Sequence, residues 1–323
     1  MKYILSLLLL VNFSGFAHKS SRSFPETALL KLLMKHQAEN GLVIVKDVQT
    51  GEIAYYAAFN SKIGKNGRIY FKDSALKDRQ MEPGGFMIPI TAAILMDNFG
   101  VSLKDTVDLE GGSTMLDGIN IVDMERHGIR SANLLRTIAE NSNVGITKFT
   151  KKNILIGSDI INQKLKGFIL NEPFTPSDYE RAVDQAAASF GFGLMLTPSQ
   201  ILTFYDRVAK GDSTLFNNPT TGNNIKQALL EVSKNGTAKS LFKDSSVQVA
   251  SKTGTILVLG KKGYIRDQFY SGMAGFAPYD NPRYSCIVVI KCKPHAPSYF
   301  GSQVAGELFK EMMYWKLGKK NDF

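Results

Sequence analysis

The sequence predicts an α+β fold in which an antiparallel sheet is covered by helices and faces a separate helical block. Runs of β-prone residues cluster near the two ends of the 323-residue chain, at 42–58 and 247–291. The stretch between these runs carries several helical patterns. With 44% hydrophobic residues, the chain can bury a full core.

The first residues have the pattern of a secretory signal, with a basic start and an apolar run through Val11. Asn12 and Ser14 interrupt this run before it reaches the roughly 20 apolar residues that a spanning helix needs. Small residues up to Ala17 suit a signal peptidase, so we expect cleavage after Ala17 and an extracytoplasmic mature chain, periplasmic or secreted. The alternative is an uncleaved segment that anchors the chain to a membrane.

The body of the chain is predicted to open with a helix and a hairpin. The helix spans Glu26 to Gln37, within a lead segment that covers residues 18–40. Strands at Leu42–Asp47 and Ile53–Ala58 then flank a tight turn. The stretch Asn60–Gln80 is polar and is predicted to be a long connection.

The middle of the chain is predicted to be helical. Ile88–Met96 is apolar on nearly every face and stops at Gly100, which predicts a helix buried all round. More helices follow, and we expect Ser131 to be the N-cap of the first of them. They span Ala132–Glu140, Val144–Lys151, Tyr179–Ala188 and Pro198–Lys210.

The last third of the chain predicts an antiparallel meander. Its strands are Val247–Val258, Tyr270–Phe276 and Tyr284–Lys291, which are joined by tight turns. A closing amphipathic helix around Leu308 should pack across these strands. The opening hairpin is expected to complete the same sheet.

Composition argues against several classes of function. The 39 basic residues give a net charge of +10 but form no long run, so we expect a solvated basic surface and no nucleic-acid partner. The four histidines are scattered without ligand spacing, and we expect neither a metal site nor a cofactor. Cys286 and Cys292 lie about 20 Å apart on one predicted strand, too far for a disulfide, so both should be buried thiols.

Several short segments occur in an informative order along the chain. Glu82-Pro83-Gly84, with Pro89 shortly after, opens the predicted buried helix. Asn141-Ser142-Asn143 lies between two predicted helices, and Lys252-Thr253-Gly254-Thr255 lies on a predicted strand. The remaining segments are Val45–Glu52, Ser189–Pro198 and Gly275–Arg283. Together they resemble the landmarks of the transpeptidase domain of class B penicillin-binding proteins.

The resemblance implies a fold of the penicillin-binding-protein and serine β-lactamase type, together with its chemistry. In that family the serine of a Ser-x-x-Lys motif attacks the D-Ala-D-Ala end of a peptidoglycan stem peptide, or a β-lactam. The lysine of the motif is usually cast as the base. A Ser-x-Asn segment contributes to proton transfer, and a Lys-Thr-Gly strand meets the substrate carboxylate.

The domain boundaries combine the predicted signal with the resemblance. The pattern at the start of the chain predicts a signal peptide at 1–17, and the resemblance begins at about Gly41, so we expect a lead segment at 18–40 and a transpeptidase-like domain at 41–323. The N-terminal pedestal domain common in this family is not expected, because the hairpin begins soon after the predicted signal.

The sequence departs from the family at the reacting positions. Matching the motifs places Gly85 at the nucleophilic serine, Ile88 at its lysine and Asn141 at the serine of Ser-x-Asn. Glycine offers no nucleophile and isoleucine no base, so covalent catalysis should be lost. We therefore treat these positions as degenerate, with no intact catalytic residue. The expected ligand-binding residues are Asn143, Lys252, Thr253, Gly254 and Thr255.

Three hypotheses of function follow. The leading one is an exported pseudoenzyme of cell-wall synthesis that binds stem peptides or a wall-synthesis protein, and β-lactams non-covalently at most. The second is an active D,D-transpeptidase or carboxypeptidase that uses an unaligned serine such as Ser74, which forms a Ser-x-x-Lys with Lys77. The third is a structural partner whose groove is filled by Phe86 and Met87. β-Lactamase activity is not expected, because no deacylating glutamate can be assigned.

Overall fold

The computed structural model describes residues 22–124, 129–169 and 178–319. The predicted signal peptide lies outside these ranges. Within them, no helix combines the length and the apolar character needed to cross a membrane.

The strands form one large sheet and two small two-stranded sheets. In chain order they are β1 (Asn40–Asp47), β2 (Ile53–Gly64), β3 (Gly67–Lys72), β4 (Thr106–Asp108), β5 (Ser113–Leu116), β6 (Ile119–Val122), β7 (Ser131–Asn133), β8 (Ala250–Gly260), β9 (Gly263–Ala277) and β10 (Tyr284–Lys291). The large sheet is antiparallel with the order β3-β2-β1-β10-β9-β8, while β4 pairs with β7 and β5 with β6. β1 lies beside β10, with Val43 opposite Val288. The prediction that the opening hairpin completes the sheet of the last third is therefore confirmed.

The helices surround this sheet. They are α1 (Phe24–His36), α2 (Met87–Phe99), α3 (Leu134–Ala139), α4 (Asn143–Asn153), α5 (Ile160–Ile169), α6 (Ala182–Ser189), α7 (Pro198–Lys210), α8 (Thr221–Lys234), α9 (Lys239–Phe242) and α10 (Ala305–Lys316). Successive residues of β1 and β10 are buried, so both faces of the sheet are covered. α1 and α10 pack together on one face, and α7 and α8 pack against β8, β9 and β10. The packing of the closing helix α10 on the sheet confirms the prediction.

The prediction for Asn60–Gln80 was wrong, because this stretch is largely structured. β2 runs on to Gly64, and Lys65-Asn66 turns the chain back into β3. Ser74–Asp78 then forms a short 3₁₀ segment. β3 is an edge strand with most of its residues exposed, and its β-prone run, Ile69-Tyr70-Phe71, is only three residues long and flanked by charges.

The helical predictions need smaller corrections. Ser131 lies in β7, and the N-cap of α3 is Asn133, whose Oδ1 accepts a hydrogen bond of 2.8 Å from Arg136 N. α6 begins at Ala182 rather than at Tyr179. α5, α8 and α9 were not predicted. Cys286 and Cys292 are buried, as expected.

α2 is the buried helix that the sequence predicts. Every residue from Met87 to Met96 is buried, and Ile88 has no exposed surface. The helix ends at Gly100, whose φ of 65° is the left-handed conformation that glycine adopts readily.

Phe86, just before α2, locks the start of this helix to the sheet. Its ring fills the space left by two glycines: a Cβ added at Gly254 of β8 would lie 3.1 Å from the ring, and one at Gly272 of β9 would lie 2.6 Å from it. The Tyr205 hydroxyl donates a 3.0 Å hydrogen bond to the Phe86 carbonyl oxygen. Phe86 is therefore part of the core beneath the sheet.

We predict that Phe86→Ala lowers the free energy of unfolding by about 3–5 kcal/mol, because it removes a fully buried ring from the contact between α2 and the sheet. Phe99→Ala is the matched control, since Phe99 is 39% exposed at the far end of the same helix. Urea unfolding followed by circular dichroism measures both. Equal losses would contradict the assigned role of Phe86.

Candidate functional site

Residues far apart in the sequence meet beside the free edge of β8. Lys252 and Thr253 come from β8, Gly85 from the turn before α2, and Asn141 from the turn before α4. Thr237, which follows α8, joins them through its hydroxyl. We call the space bounded by Asn141, Thr237, Thr253 and the loop around Gly301 the groove. Of the predicted site residues, Asn141, Thr253 and Thr255 line the groove. Gly85, Lys252 and Gly254 lie directly behind it, whereas Asn143 and Ile88 serve neighbouring elements.

Gly85 and Asn141 are sterically coupled. A Cβ added at Gly85 would lie 2.3 Å from Asn141 Oδ1 and 3.1 Å from Asn141 Cγ. The Asn141 amide therefore occupies the space that any side chain at position 85 would need. Asn141 also has a φ of 57°, a left-handed conformation that asparagine tolerates better than most residues.

Lys252 points its amine at this amide and is fully buried. Its Nζ donates hydrogen bonds to Asn141 Oδ1 and, at 2.8 Å, to the Thr253 carbonyl oxygen. Within the described ranges, Lys252 takes part in no ion pair. Burial without a countercharge lowers the pKa of Lys252 to about 7. The site therefore holds its lysine with uncharged acceptors.

The other residues of the Lys-Thr-Gly strand are also engaged within the protein. The Thr253 and Thr237 hydroxyls share a hydrogen bond of 2.7 Å. Thr255 Oγ1 accepts a 3.2 Å hydrogen bond from Gly301 N. Gly254 backs onto the Phe86 ring, as described above. The hydroxyl oxygens of Thr253 and Thr255 thus each take part in one hydrogen bond within the protein, Thr255 as the acceptor.

The groove itself is small. The cavity between Asn141, Thr253, Thr255 and Gly301 has a volume of about 40 Å³. Pockets that enclose small-molecule ligands usually measure about 300–1,000 Å³. In this conformation the groove accommodates a few water-sized molecules and does not enclose a peptide.

Asn143 and Ser142 make hydrogen bonds that connect α4 to neighbouring segments. Asn143 Nδ2 donates a 3.0 Å hydrogen bond to the Val122 carbonyl oxygen of β6. Ser142 is the N-cap of α4, where its Oγ accepts from Gly145 N at 2.8 Å and donates to Asp123 Oδ2 at 2.8 Å. This segment therefore ties α4 to the chain that follows β6.

The framework around the degenerate positions is tightly built. Glu82 Oε1 accepts hydrogen bonds from Gly193 N at 2.8 Å and from the Tyr264 hydroxyl at 2.9 Å. Burial raises the pKa of Glu82. A Cβ at Gly191 would lie 2.4 Å from the Gly84 backbone, so these two glycines are in direct contact. The Glu-Pro-Gly segment, the Phe-Gly-x-Gly segment and the β8–β9 hairpin thus hold one another in place.

Ser74 lies elsewhere in the fold. Its 3₁₀ segment packs against β1, β2 and α7, whereas β9 and β10 separate those strands from β8. Lys77 Nζ is 2.6 Å from Asp78 Oδ2. The Ser74-x-x-Lys77 motif is therefore not part of the groove.

The expectation that Phe86 and Met87 fill the groove was wrong. Both side chains are fully buried, and the Phe86 ring lies beneath the sheet. The group that occupies the space beside Gly85 is the Asn141 amide. Sequence reasoning also missed Thr237 and Gly301, which carry no motif and reach the site only through folding.

An antiparallel sheet with a Lys-Thr-Gly edge strand, set against the start of a buried helix and an Asn-Ser-Asn turn, defines a penicillin-binding fold. Residues 41–314 match the profile of the penicillin binding protein transpeptidase domain, and the chain belongs to that family.

Relatives of the chain carry names from peptidoglycan synthesis. It is 26% identical over 310 residues to the peptidoglycan D,D-transpeptidase FtsI of Buchnera aphidicola from Schizaphis graminum, covering 86% of this chain and 53% of that protein. It is 27% identical over 329 residues to the probable peptidoglycan D,D-transpeptidase PenA of Neisseria flavescens, covering 90% and 78%. The chain thus spans about half the length of the FtsI relative and about three quarters of PenA.

Solved structures agree on the fold. The transpeptidase domain of penicillin-binding protein 3 from Burkholderia pseudomallei superposes with a TM-score of 0.76 at 23% identity, covering 93% of this chain and 95% of that one. Penicillin-binding protein 3 from Mycobacterium tuberculosis, complexed with aztreonam, gives a TM-score of 0.75 at 18% identity, covering 91% and 76%.

We predict that Gly85→Ser destabilises the fold by about 1–3 kcal/mol, because the new Cβ collides with the Asn141 amide. In the Asn141→Gly background the same change should cost clearly less, since the collision is gone and glycine suits the φ at position 141. Urea unfolding of the four proteins in this double-mutant cycle gives the coupling. Gly167→Ser is the control, because nothing lies within 4 Å of a Cβ there. Additive effects at 85 and 141 would contradict the steric coupling.

A second prediction concerns the stability of the protein against pH. The pKa of Lys252 is lowered from 10.5 to about 7 in the folded chain, so between these values the unfolded chain binds more protons. Stability relative to Lys252→Met should therefore rise as the pH increases from about 7 to 10, by up to about 1.4 kcal/mol per pH unit. Below pH 7 the difference should be constant. Urea unfolding of both proteins across this pH range measures the difference in their free energies of unfolding. If that difference did not change with pH, the Lys252 amine could not be buried without a countercharge.

Proposed function

We propose that this chain is a non-catalytic member of the transpeptidase family that takes part in peptidoglycan synthesis by binding rather than by acyl transfer. One observation carries the proposal. The Asn141 amide fills the space of the missing side chain at Gly85 and accepts a hydrogen bond from Lys252.

The chemistry of the site supports this reading. Acyl transfer by this family's route needs a nucleophile with a base within hydrogen-bond reach. Gly85 has no side chain, and Ile88 is an aliphatic core residue. Three hydroxyls lie near Lys252 along β8, and each already makes a hydrogen bond: that of Ser251 with Ser233, that of Thr253 with Thr237 and that of Thr255 with Gly301 N. The Lys252 amine donates to the Asn141 amide and to the Thr253 carbonyl oxygen, so the groove lacks a hydroxyl nucleophile that is hydrogen-bonded to a base.

Of the two candidate binding partners, a cell-wall synthesis protein is favoured over a peptidoglycan stem peptide. A cavity of about 40 Å³ is far smaller than a peptide site, and a ligand carboxylate would have to displace Asn141 to reach Lys252. On the same grounds we expect β-lactams to bind non-covalently at most. Saturable binding of a D-Ala-D-Ala peptide in isothermal titration calorimetry would instead favour the stem peptide.

The proposed location is extracytoplasmic. It rests on the basic start and apolar run before Ala17 and on the peptidoglycan names of the relatives. Cleavage near Ala17 would release the chain, whereas an uncleaved segment would anchor it at the membrane.

We predict that the mature chain keeps its mass after incubation with excess penicillin, because position 85 carries no nucleophile. Intact-mass spectrometry measures this, with circular dichroism to show that the protein is folded and a transpeptidase domain with an intact Ser-x-x-Lys as the positive control. An adduct on any serine would overturn the proposal. If that adduct disappears in Ser74→Ala, the chain is an enzyme that uses Ser74.

A further inference from the structure

The sheet has a second free edge, at β3, on the side opposite to the groove. No strand in the described part of the chain pairs with the outer side of β3. Asp73 N donates to the Ala58 carbonyl oxygen at 3.1 Å, which fixes the alternation of bonded and non-bonded pairs between β2 and β3. By that alternation, the N–H and C=O groups of Arg68, Tyr70 and Lys72 point away from β2.

This edge is ordered and carries exposed apolar side chains. The Tyr70 hydroxyl donates to the Ala38 carbonyl oxygen at 2.8 Å, which ties β3 to the chain that follows α1. Ile69 and Phe71, on the other face of the strand, are 50% and 45% exposed, and Ile63 of β2 is 72% exposed. An exposed edge with apolar side chains is a ready template for pairing with another strand.

The charge of the β2–β3 hairpin indicates which kind of strand would pair with β3. Residues 53–72 contain Lys62, Lys65, Arg68 and Lys72 and no acidic residue. Lys72 pairs with Glu26, their charged atoms 2.5 Å apart, whereas Lys62 and Lys65 make no ion pair within the described ranges. Like charges across a strand pair are destabilising, so these cations disfavour a second copy of the chain and favour an acidic strand.

We propose that β3 is a docking edge for an extended acidic segment of a partner protein, which joins the sheet through the backbones of Arg68, Tyr70 and Lys72. Apolar residues of that segment cover Ile69 and Phe71, and its carboxylates face the uncompensated lysines. An anionic lipid or polymer could accept from the free N–H groups, and its hydroxyls could donate to individual carbonyl oxygens, but it does not present donors and acceptors in a regular row at the spacing of a strand. Another strand matches that row.

This surface is distinct from the groove, and the proposal does not rest on the absence of acyl transfer. A penicillin adduct would overturn the proposed function and leave the docking edge untouched. Conversely, failure of the docking test leaves the non-catalytic assignment standing.

The test uses the mature chain and a fluorescein-labelled peptide of sequence Glu-Val-Glu-Ile-Asp-Val-Glu, with a version in which lysine replaces every acidic residue. Fluorescence anisotropy should show saturable binding of the acidic peptide only. Lys72→Pro removes an outward N–H without breaking the β2 ladder, and should weaken binding about tenfold or more. Lys72→Ala is the matched control, since it removes the same charge and the same contact with Glu26, and should bind much more tightly than Lys72→Pro.

Hydrogen exchange followed by NMR gives a readout that needs no variant. The amides of Arg68, Tyr70 and Lys72 should exchange more slowly once the acidic peptide is bound. Equal binding of the acidic and basic peptides, equal loss in Lys72→Pro and Lys72→Ala, or no binding at millimolar peptide would each overturn the proposal. So would dimerisation through β3 in analytical ultracentrifugation, or binding to phosphatidylglycerol vesicles without binding to the peptide.

Discussion

The contact between the Phe86 ring and two glycines of the sheet is the constraint on which the site depends. Gly254 and Gly272 have no side chains to hold the ring away, so the start of α2 lies directly beneath β8 and β9. This contact brings Gly85 beside Asn141 and brings Asn141 within reach of Lys252. Were either glycine larger, the ring would have to move and the geometry of the groove would move with it.

The residues at the three positions that depart from the family motifs, Gly85, Ile88 and Asn141, fit their surroundings and one another. Glycine at position 85 leaves room for the Asn141 side chain, which is longer than the serine expected there from the Ser-x-Asn motif. The Asn141 amide oxygen in turn accepts a hydrogen bond from the amine of Lys252. Ile88 completes an apolar helix in which a charge would need a partner. The surrounding framework, in which Glu82 holds Gly193 and Tyr264, is intact. The scaffold of the family's site is thus present, with Gly85 and Ile88 at the two positions where the motif resemblance expects a serine and a lysine.

Much of the fold could be predicted from the sequence, because the ordered motifs and the apolar runs of α2 and β10 are local signals. α8 was missed although Ile225, Ala228, Leu229 and Val232 lie at helical spacing and are buried. β3 was missed because its β-prone run, Ile69-Tyr70-Phe71, is short and lies between Arg68 and Lys72 in a largely polar stretch. The role of Asn141 could not be predicted at all, since it depends on contacts with positions 85 and 252 that no local pattern encodes.

The position of β1 between β2 and β10 has a consequence for how the chain acquires its structure. Residues 40–47 find their second neighbour only in residues 284–291, which are synthesised near the end of the chain. Until then the opening hairpin has one strand edge without its native partner, and the central sheet cannot close. Such long-range pairing makes folding slow and makes any truncation before β10 incompatible with a complete sheet. Completion of the central sheet therefore waits for the synthesis of β10.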